Sequence, residues 1–284
     1  MVSEGRRWPW QRRPAVEPVA RPVVAPGTPA GTWAETRLFP AEALLPMPDP
    51  SLQDQVGPPG VFQDVGLTTM GRLNMAGLRP EHDVLDVGCG VGRTARYLCD
   101  YLVPEARYEG FDIMESLIEW CRNEITPRFP NFRFIFLPVY NSAYLPDPSL
   151  PSAAELTFPY PNESFDFVFA HSVFTHLSPA ASANYLREIR RVLRPGGISY
   201  STWFLFRDTP SGNPSPLVAG MTLDGSGDFA LHDPAVPDTA VGYREEIVRR
   251  FHTDAGLAIA DPIHPGFTKL QDVVVAHRRG RTAG

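Results

Sequence analysis

The sequence predicts an α/β fold, a doubly wound Rossmann-like sheet of seven strands that is mostly parallel with an antiparallel edge strand. Three observations predict it. Short apolar runs alternate with amphipathic helical stretches along most of the chain, and a glycine-rich turn joins the first apolar run to a helix. The last two predicted strands, "LAIADPIHP" and "QDVVVAHRR", have no helix between them, which makes one of them antiparallel at the sheet edge.

The elements follow one another in regular order, and proline, glycine or polar residues separate them. The other predicted strands are "DVLDV", "RYEGFDI", "FRFIFLPV", "SFDFVFAHS" and "ISYSTWFLF". The predicted helices are "FQDVGLTTMGRLNMAGL", "VGRTARYLCDYL", "MESLIEWCRNEI", "SPAASANYLREIRRVL" and "YREEIVRRFHTDAG". In the fourth helix Leu186, Ile189 and Leu193 recur on one face, as a helix packed on a sheet requires.

Three segments depart from this rhythm. Residues 1–57 are rich in proline and show neither helical nor strand periodicity, which predicts a disordered arm before one domain over 58–284. Segments 141–163 and 207–240, rich in Pro, Gly and Ser, interrupt that domain. Each follows the carboxyl end of a predicted strand, where open α/β sheets bind ligands. We therefore expect irregular loops that contact the substrate.

Composition narrows the classes of partner. The chain has 284 residues, 43% hydrophobic, and a net charge of −6 with scattered basic residues, so a nucleic-acid partner is not expected. No apolar run is long enough to span a membrane, and Cys89, Cys99 and Cys121 share no metal-ligand spacing. These features predict a cytoplasmic protein with no membrane partner and no metal, and they leave its oligomeric state open.

The stretch "VLDVGCGVGR" is the strongest local signal. A strand leads into Gly88, Gly90 and Gly92, whose backbone can turn sharply and approach a ligand closely. A dinucleotide fingerprint would need a glycine at position 93, which is Arg93. Asp86, two residues before the first glycine, would repel a pyrophosphate but suits a ligand with an ammonium group.

Asp112 ends the second predicted strand, twenty residues after Gly92. A carboxylate at this place can accept hydrogen bonds from both ribose hydroxyls of a nucleoside, although it could also cap the strand end. A nucleoside that carries an amino acid in place of phosphates is S-adenosylmethionine. The glycine loop and Asp112 together predict S-adenosylmethionine as the cofactor.

With "VLDVGCGVGR", "FPYPNESFDFVFAHSVFTHL" and "EIRRVLRPGG" in order, the sequence resembles the class I S-adenosylmethionine-dependent methyltransferases over about residues 60–278. The likeness is to their small-molecule group, of the methyltransferase type 11/25 kind. The expected cofactor-binding residues are Asp86, Gly88, Cys89, Gly90, Arg93, Asp112, Ile113, Met114, Asn141 and Ala170.

The resemblance also implies roles for several of these residues. It places Asp86, Gly88 and Gly90 at the methionine end of the cofactor, with Ala170 near the same portion. Ile113 or Met114 would lie against the adenine. The family often has an acidic residue after the third strand to hold the adenine amino group. "FLPVYN" has none, so Asn141 or the backbone of Val139 would have to serve.

His171 and His176, in "FAHSVFTHL", follow the fourth predicted strand. Residues five apart do not share a helix face and the HExxH pattern is absent, so the pair does not indicate a metal site. Methylation of a hydroxyl benefits from a base near neutral pKa, and histidine meets that need. We expect His176 to be that base, although it could instead fix the loop through a backbone carbonyl. His171 either faces the cofactor or caps the strand.

Several functions remain open at this stage. The favoured one is methylation of a small-molecule hydroxyl, on a sugar or other secondary metabolite. N- or C-methylation by the same fold, or a non-catalytic protein that binds S-adenosylmethionine, are the alternatives. The Asn/Asp-Pro-Pro-aromatic run of base-methylating enzymes is replaced by "AHSV", and Arg93 with Asp86 disfavours an NAD-dependent dehydrogenase.

Overall fold

The structure, a computed structural model, describes residues 45–58, 60–207, 220–263 and 271–280. The strands are β1 Val84–Val87, β2 Tyr108–Asp112, β3 Phe132–Phe136, β4 Phe165–Ala170, β5 Leu193–Phe206, β6 Thr222–Leu223, β7 Phe229–Leu231, β8 Val241–Arg244, β9 Leu257–Ile259 and β10 Asp272–Arg278. The helices are α1 Pro50–Gln53, α2 Phe62–Met75, α3 Ala95–Tyr101, α4 Glu115–Glu124, α5 Pro179–Val192 and α6 Glu245–Ala255. Short 3-10 turns lie at Phe174–His176 and Pro237–Thr239.

The centre of the sheet is parallel. Its strand order is β3-β2-β1-β4-β5, and the helices between these strands make crossover connections. The order reverses between β1 and β4, and this switch point opens a crevice at the carboxyl ends of the strands. The predicted fold class is confirmed, and the crevice is where a ligand is expected.

The count and the edge of the sheet differ from the prediction. The described residues form ten strands rather than seven. β10 is antiparallel, as expected of one of the last two strands, but it lies between β5 and β9 and so is not the edge. β9, only three residues long, takes that place. Chain order alone did not show which of the two would pair with β5.

A hairpin in the segment predicted to be irregular accounts for most of the extra strands. β6 and β7 pair antiparallel, β7 continues onto β8, and β8 runs parallel to the carboxyl end of β5. The Asp224 carboxylate accepts the Ser226 hydroxyl and the Asp228 amide, which closes the turn. The prediction of an irregular 207–240 is therefore wrong for part of its length, and 208–219 lie outside the described residues. The turn residues in "LDGSGDFAL" concealed the two short strands.

Alternating side chains of the central strands supply two cores. In β4, Phe167 and Phe169 face the core that contains residues of α2, α3 and α4, while Val168 and Ala170 face the core that contains residues of α5 and α6. All four side chains are buried. Burying each large apolar side chain stabilises the fold by roughly 1.5–3 kcal/mol, so β4 is held rigidly from both faces. Its carboxyl end is a fixed platform for the residues that follow.

The last part of the proline-rich arm packs on the domain. Leu45 is 4% exposed, and Arg96 of α3 donates hydrogen bonds to the carbonyls of Leu45 and Pro46. Arg93 reaches the Val56 carbonyl at 2.7 Å in the same way. The predicted disorder up to residue 57 is therefore wrong from residue 45 onwards, and residues 1–44 lie outside the described residues. Proline removes a backbone donor but leaves the carbonyl acceptors that these arginines use.

Candidate active site

The glycine loop between β1 and α3 lies at the switch point. Gly88, Gly90 and Gly92 have φ angles of 72°, 55° and 69°, a left-handed conformation that side chains strain. A Cβ atom on Gly88 would lie 2.5 Å from Val173, and one on Gly90 would lie 2.7 Å from Val56. The loop therefore needs glycine for its backbone and for its close packing. Val173 and Val56 enclose it from two different segments.

Asp112 ends β2 beside this loop. Its carboxylate accepts hydrogen bonds from the Gly90 amide at 2.8 Å and from the Met114 amide at 2.9 Å. Each oxygen receives one of these bonds, and a carboxylate oxygen can accept a second. Burial raises the pKa of Asp112, and the backbone amide bonds oppose that rise. The carboxylate is thus fixed in place with capacity for further donors, which fits the two hydroxyls of a ribose.

Asp86, in β1, is only 2% exposed and accepts a hydrogen bond of 2.6 Å from the Tyr108 hydroxyl. Burial raises the pKa of Asp86 to about 8, although the Tyr108 bond acts in the opposite direction. In the ligand-free protein the carboxyl group is therefore mostly protonated at pH 7, although the charge of Arg93 also lowers its pKa. An ammonium group would favour its ionised form, so the buried carboxyl fits the amino-acid end of the expected cofactor.

The side chains of Cys89 and Arg93 have structural contacts. Cys89 is 6% exposed, and its thiol packs in the core beside Gly110. Arg93 binds the Val56 carbonyl, and burial lowers its pKa to about 10. The cofactor-binding roles of Cys89 and Arg93 remain predictions. Because the Cys89 thiol packs in the core, a contact of Cys89 with the cofactor would come from its backbone.

Asn141 is engaged by protein groups. Its side-chain oxygen accepts the amides of Ala143 and Tyr144, both at 3.0 Å, and its side-chain nitrogen donates to the His176 carbonyl at 3.1 Å. These contacts argue against the predicted contact with the adenine amino group. The amide instead fixes a turn and joins it to the segment after β4. A single asparagine in "FLPVYN" does not reveal that use of its side chain.

His171 lies directly after Ala170, which is fully buried at the end of β4. Its Nδ1 lies 3.0 Å from the Thr69 hydroxyl of α2. Burial and, to a smaller extent, the positive charges of Arg93 and Arg72 lower the pKa of His171 to about 3. The ring is therefore neutral at physiological pH and a weak base. These surroundings favour a role in holding α2 against the cofactor edge.

His176 has different neighbours. Its Nδ1 lies 3.1 Å from the carbonyl oxygen of Asp238, and its Nε2 lies 3.4 Å from the Tyr144 hydroxyl. A carbonyl can only accept, so the proton is on Nδ1 and the neutral ring has its lone pair on Nε2. Burial lowers the pKa of His176, against the raising effect of the carbonyls of Asp238 and Thr239. The imidazole is thus a neutral, oriented base.

The two long segments that the sequence placed on the substrate side meet at this histidine. The amide and the hydroxyl of Ser142 both donate to the Asp238 carboxylate at 2.8 Å, and we call this pair of residues the loop latch. The sequence indicated both segments but neither of these residues. Tyr144 packs edge-on against His176 with ring centroids 5.2 Å apart.

A second polar group missed from the sequence lies where β4 and β5 end. Ser172 has a φ of 64°, and its amide donates to the Thr202 hydroxyl at 2.7 Å. Gln271 donates to the Ser172 hydroxyl at 2.6 Å. Among the described residues the buried Oε1 of Gln271 has no hydrogen-bond partner. Gln271 directly precedes β10, and the pairing of β10 with β5 brings this acceptor close to the end of β4.

Residues 85–201 match the protein family described as a methyltransferase domain. Over these residues the chain is similar to the S-adenosylmethionine-dependent methyltransferases. The match begins in β1, ends in β5, and includes the glycine loop, Asp112 and both histidines. The motif-based resemblance is thereby confirmed.

Curated relatives match over part of this chain. "Uncharacterized methyltransferase YodH" of Bacillus subtilis is 34% identical over 44% of this chain and 45% of the relative. "Methyltransferase GfsG" of Streptomyces halstedii is 32% identical over 41% and 35%. "Fatty-acid O-methyltransferase" of Mycolicibacterium smegmatis is 33% identical over 44% and 36%. The matched part is thus less than half the length of these relatives.

Solved structures share the fold. The PH0226 protein of Pyrococcus horikoshii superposes with a TM-score of 0.53 at 19% identity, over 80% of this chain and 95% of that one. A Burkholderia thailandensis 1,6-didemethyltoxoflavin-N1-methyltransferase, solved with S-adenosylhomocysteine, gives 0.51 at 19% identity over 82% and 92%. In the ranges described, no helix is long and apolar enough to cross a membrane, and no cluster of His, Cys, Asp and Glu could hold a metal ion.

Proposed function

We propose that this protein transfers a methyl group from S-adenosylmethionine to a hydroxyl group of a small molecule. The observation that supports the hydroxyl is the state of His176, a neutral imidazole whose Nδ1 binds a backbone carbonyl. A hydroxyl must lose its proton as its oxygen attacks, and a positioned base contributes roughly 10²–10⁴-fold to such a step. His176 lies after β4, on the edge of the sheet where the acceptor would meet the cofactor.

The cofactor would be held by groups of β1, β2 and the glycine loop. Asp112 would accept both ribose hydroxyls, and Asp86 would face the ammonium group. The backbone of Gly88 and Gly90 would line the methionine portion, with Ile113 or Met114 against the adenine. When bound, S-adenosylmethionine supplies an electrophilic methyl group on a sulfonium, so the protein need only orient the acceptor, exclude water and take up a proton.

His176 would take that proton. Its Nε2 has the lone pair, so the proton of the acceptor hydroxyl passes to Nε2, while the other proton stays on Nδ1 and keeps its hydrogen bond to the Asp238 carbonyl. The Tyr144 hydroxyl, near the same nitrogen, would donate to it until the acceptor arrives. Burial raises the pKa of Tyr144, which keeps its proton in place at neutral pH. Val173, over the glycine loop, would help to keep water out.

The acceptor would have a polar group and an apolar part. Gln271 offers an acceptor oxygen near the ends of β4 and β5. Tyr140, Pro148, Leu150 and Ser152 line a cavity of about 210 Å³ on the segment between β3 and β4, the segment that also bears Tyr144. A sugar or another secondary metabolite would place its polar group at Gln271 and its apolar portion against this segment. A fatty acid, the acceptor named for the mycobacterial relative, is ionised at neutral pH and would not need His176 as a base.

A screen and one variant test this function. The purified protein is incubated with S-adenosylmethionine and candidate acceptors, and mass spectrometry detects products heavier by one CH₂ group. With an acceptor in hand, His176→Gln should lower kcat about 100-fold or more while S-adenosylhomocysteine still binds. A variant that keeps full turnover would reject the hydroxyl and favour N- or C-methylation or a carboxylate. If the protein binds the cofactor but methylates nothing in a broad screen, the non-catalytic alternative is preferred.

A further inference from the structure

The loop latch joins two segments that are far apart in the chain. Ser142 follows β3, and Asp238 lies in the 3-10 turn before β8. The Asp238 carboxylate accepts two hydrogen bonds from Ser142, and the Asp238 amide returns one to the Ser142 hydroxyl at 3.2 Å. Ser142 and Asp238 are thus joined by three hydrogen bonds, two of which go to the charged carboxylate. These bonds fix the position of the Asp238 backbone. That backbone bears the carbonyl that accepts the His176 Nδ1 proton.

The same loop also fixes the other side of the histidine. Asn141 donates to the His176 carbonyl and accepts the Tyr144 amide, so the 3-10 turn and the tyrosine are held by one side chain. The Tyr144 hydroxyl lies near Nε2. A hydroxyl can donate or accept, and it is compatible with a proton on either nitrogen of the ring. The Asp238 carbonyl, 3.1 Å from Nδ1, only accepts, so it favours the tautomer with the proton on Nδ1.

We propose that Asp238 is a positioning residue that works with Ser142 to set the tautomer of His176, directing the Nε2 lone pair towards the acceptor. The proposal rests on the proposed function, because it gives the orientation of His176 a catalytic purpose. If the latch opens, the carbonyl moves away from Nδ1 and the ring can place its proton on Nε2. In that tautomer the nitrogen that faces the acceptor is a donor and cannot take a proton.

The protein contains a matched control for this latch. Ser149 lies on the same segment, and its amide and hydroxyl both donate to the Asp147 carboxylate, at 2.9 and 2.7 Å. Both residues of this second pair are exposed. Ser149→Ala removes a hydroxyl from the same kind of contact without touching His176. The comparison of Ser142→Ala with Ser149→Ala therefore isolates the effect on the histidine.

The test is ¹⁵N NMR of histidine-labelled protein with S-adenosylhomocysteine bound, in which His176→Gln identifies the His176 signals. We expect one tautomer in the wild type and in Ser149→Ala, with a protonated Nδ1 and an unprotonated Nε2. Ser142→Ala and Asp238→Ala should give a mixture of tautomers. Circular dichroism shows whether Asp238→Ala folds, and if it does not, Ser142→Ala decides.

A wild type with its proton on Nε2, or a Ser142→Ala spectrum identical to that of the wild type, would overturn the proposal. The spectrum requires no acceptor, so this result can be obtained whether or not the proposed function is correct. Once an acceptor is known, Ser142→Ala should lower kcat about tenfold with little change in KM. The loss is smaller than the full contribution of a base, because a fraction of the protein keeps the active tautomer. Full turnover in His176→Gln would reject the function even if the spectra behave as expected.

Discussion

His171 and His176 are five residues apart, yet they lie in two different regions at the carboxyl ends of the parallel strands, where a ligand is expected. His171 lies in the cofactor region, where it contacts Thr69 of α2 and has the charges of Arg93 and Arg72 nearby. His176 lies in the loop region, where its contacts are a backbone carbonyl and a tyrosine hydroxyl. Burial lowers the pKa of both rings, but arginines lower that of the first further and carbonyls oppose the fall in the second.

The difference shows that the chemistry of an imidazole is set by partners from distant parts of the chain. The cofactor region is made of short connections around β1 and β2. In it the Asp112 carboxylate accepts hydrogen bonds from the backbone amides of Gly90 and Met114. The loop region is made of two long segments that meet only in the folded protein. We therefore expect changes in the cofactor region to alter binding and changes in the loop region to alter turnover.

The largest effect is expected from Asp112→Ala. The variant loses the carboxylate proposed to accept two ribose hydroxyls, and hydrogen bonds to a charged group contribute roughly 1.5–3 kcal/mol each. Affinity for S-adenosylhomocysteine should therefore fall at least about 100-fold in calorimetry. Glu119→Ala, at an exposed position of α4, should bind as the wild type does. Wild-type affinity in Asp112→Ala would show that the ribose lies elsewhere.

The two histidines should separate by turnover. His176→Gln loses the proposed base, whereas His171→Gln should keep kcat within a few-fold, because a group with a pKa of about 3 takes up little proton at pH 7. The loss of the Thr69 contact should appear in His171→Gln as a small decrease in Tm. Equal losses of kcat in His176→Gln and His171→Gln would contradict the assignment of different roles to the two histidines.

Asp86 should couple cofactor binding to protons. Its pKa of about 8 leaves the carboxyl mostly protonated at pH 7, and a bound ammonium group should ionise it. Binding should then release a proton, measured as an enthalpy that depends on the ionisation heat of the buffer. Asp86→Asn, whose amide oxygen can still accept the Tyr108 hydroxyl, should remove the dependence. A release that survives in Asp86→Asn would assign the proton to another group.

The same residue gives the ligand-free protein a pH-dependent stability. The folded-state pKa is above the ordinary value of 3.8, so the unfolded chain binds fewer protons than the folded protein between that value and about 8. This contribution is full at acid pH and is lost as the pH rises through about 8. Between pH 5 and 8 the Tm of the wild type should fall more steeply than that of Asp86→Asn. Parallel profiles would contradict the raised pKa.

The smallest effect is expected at the packed arm. Arg96→Ala removes the bonds to the Leu45 and Pro46 carbonyls, and a loss of about 1–2 kcal/mol lowers the Tm of a domain of this size by a few degrees. Arg128→Ala, which breaks an exposed pair with Glu124 at the end of α4, should change the Tm by less. Equal changes would mean that the arm contributes little to stability.

The sequence predicted the features that local patterns specify. The glycine loop is one, since the left-handed φ of Gly88 requires glycine whatever surrounds it. The position of Asp112 is another, because the last residue of β2 lies beside the loop that follows the neighbouring strand β1. The contacts of Asn141 and His176 depend on segments that pack only in the folded chain, and the prediction for Asn141 was not supported for that reason. The hairpin of β6 and β7 was missed because strands of two and three residues have too little periodicity.

Because Val56 packs against Gly90, the order of residues 45–58 and the binding of the ligand should be thermodynamically coupled. If the cofactor binds a loop that this segment helps to order, the loop in turn stabilises the segment by the same free energy. Saturation with S-adenosylhomocysteine should then slow amide hydrogen exchange in the segment. An affinity measured after trimming past residue 45 would describe a different binding equilibrium from that of the intact chain.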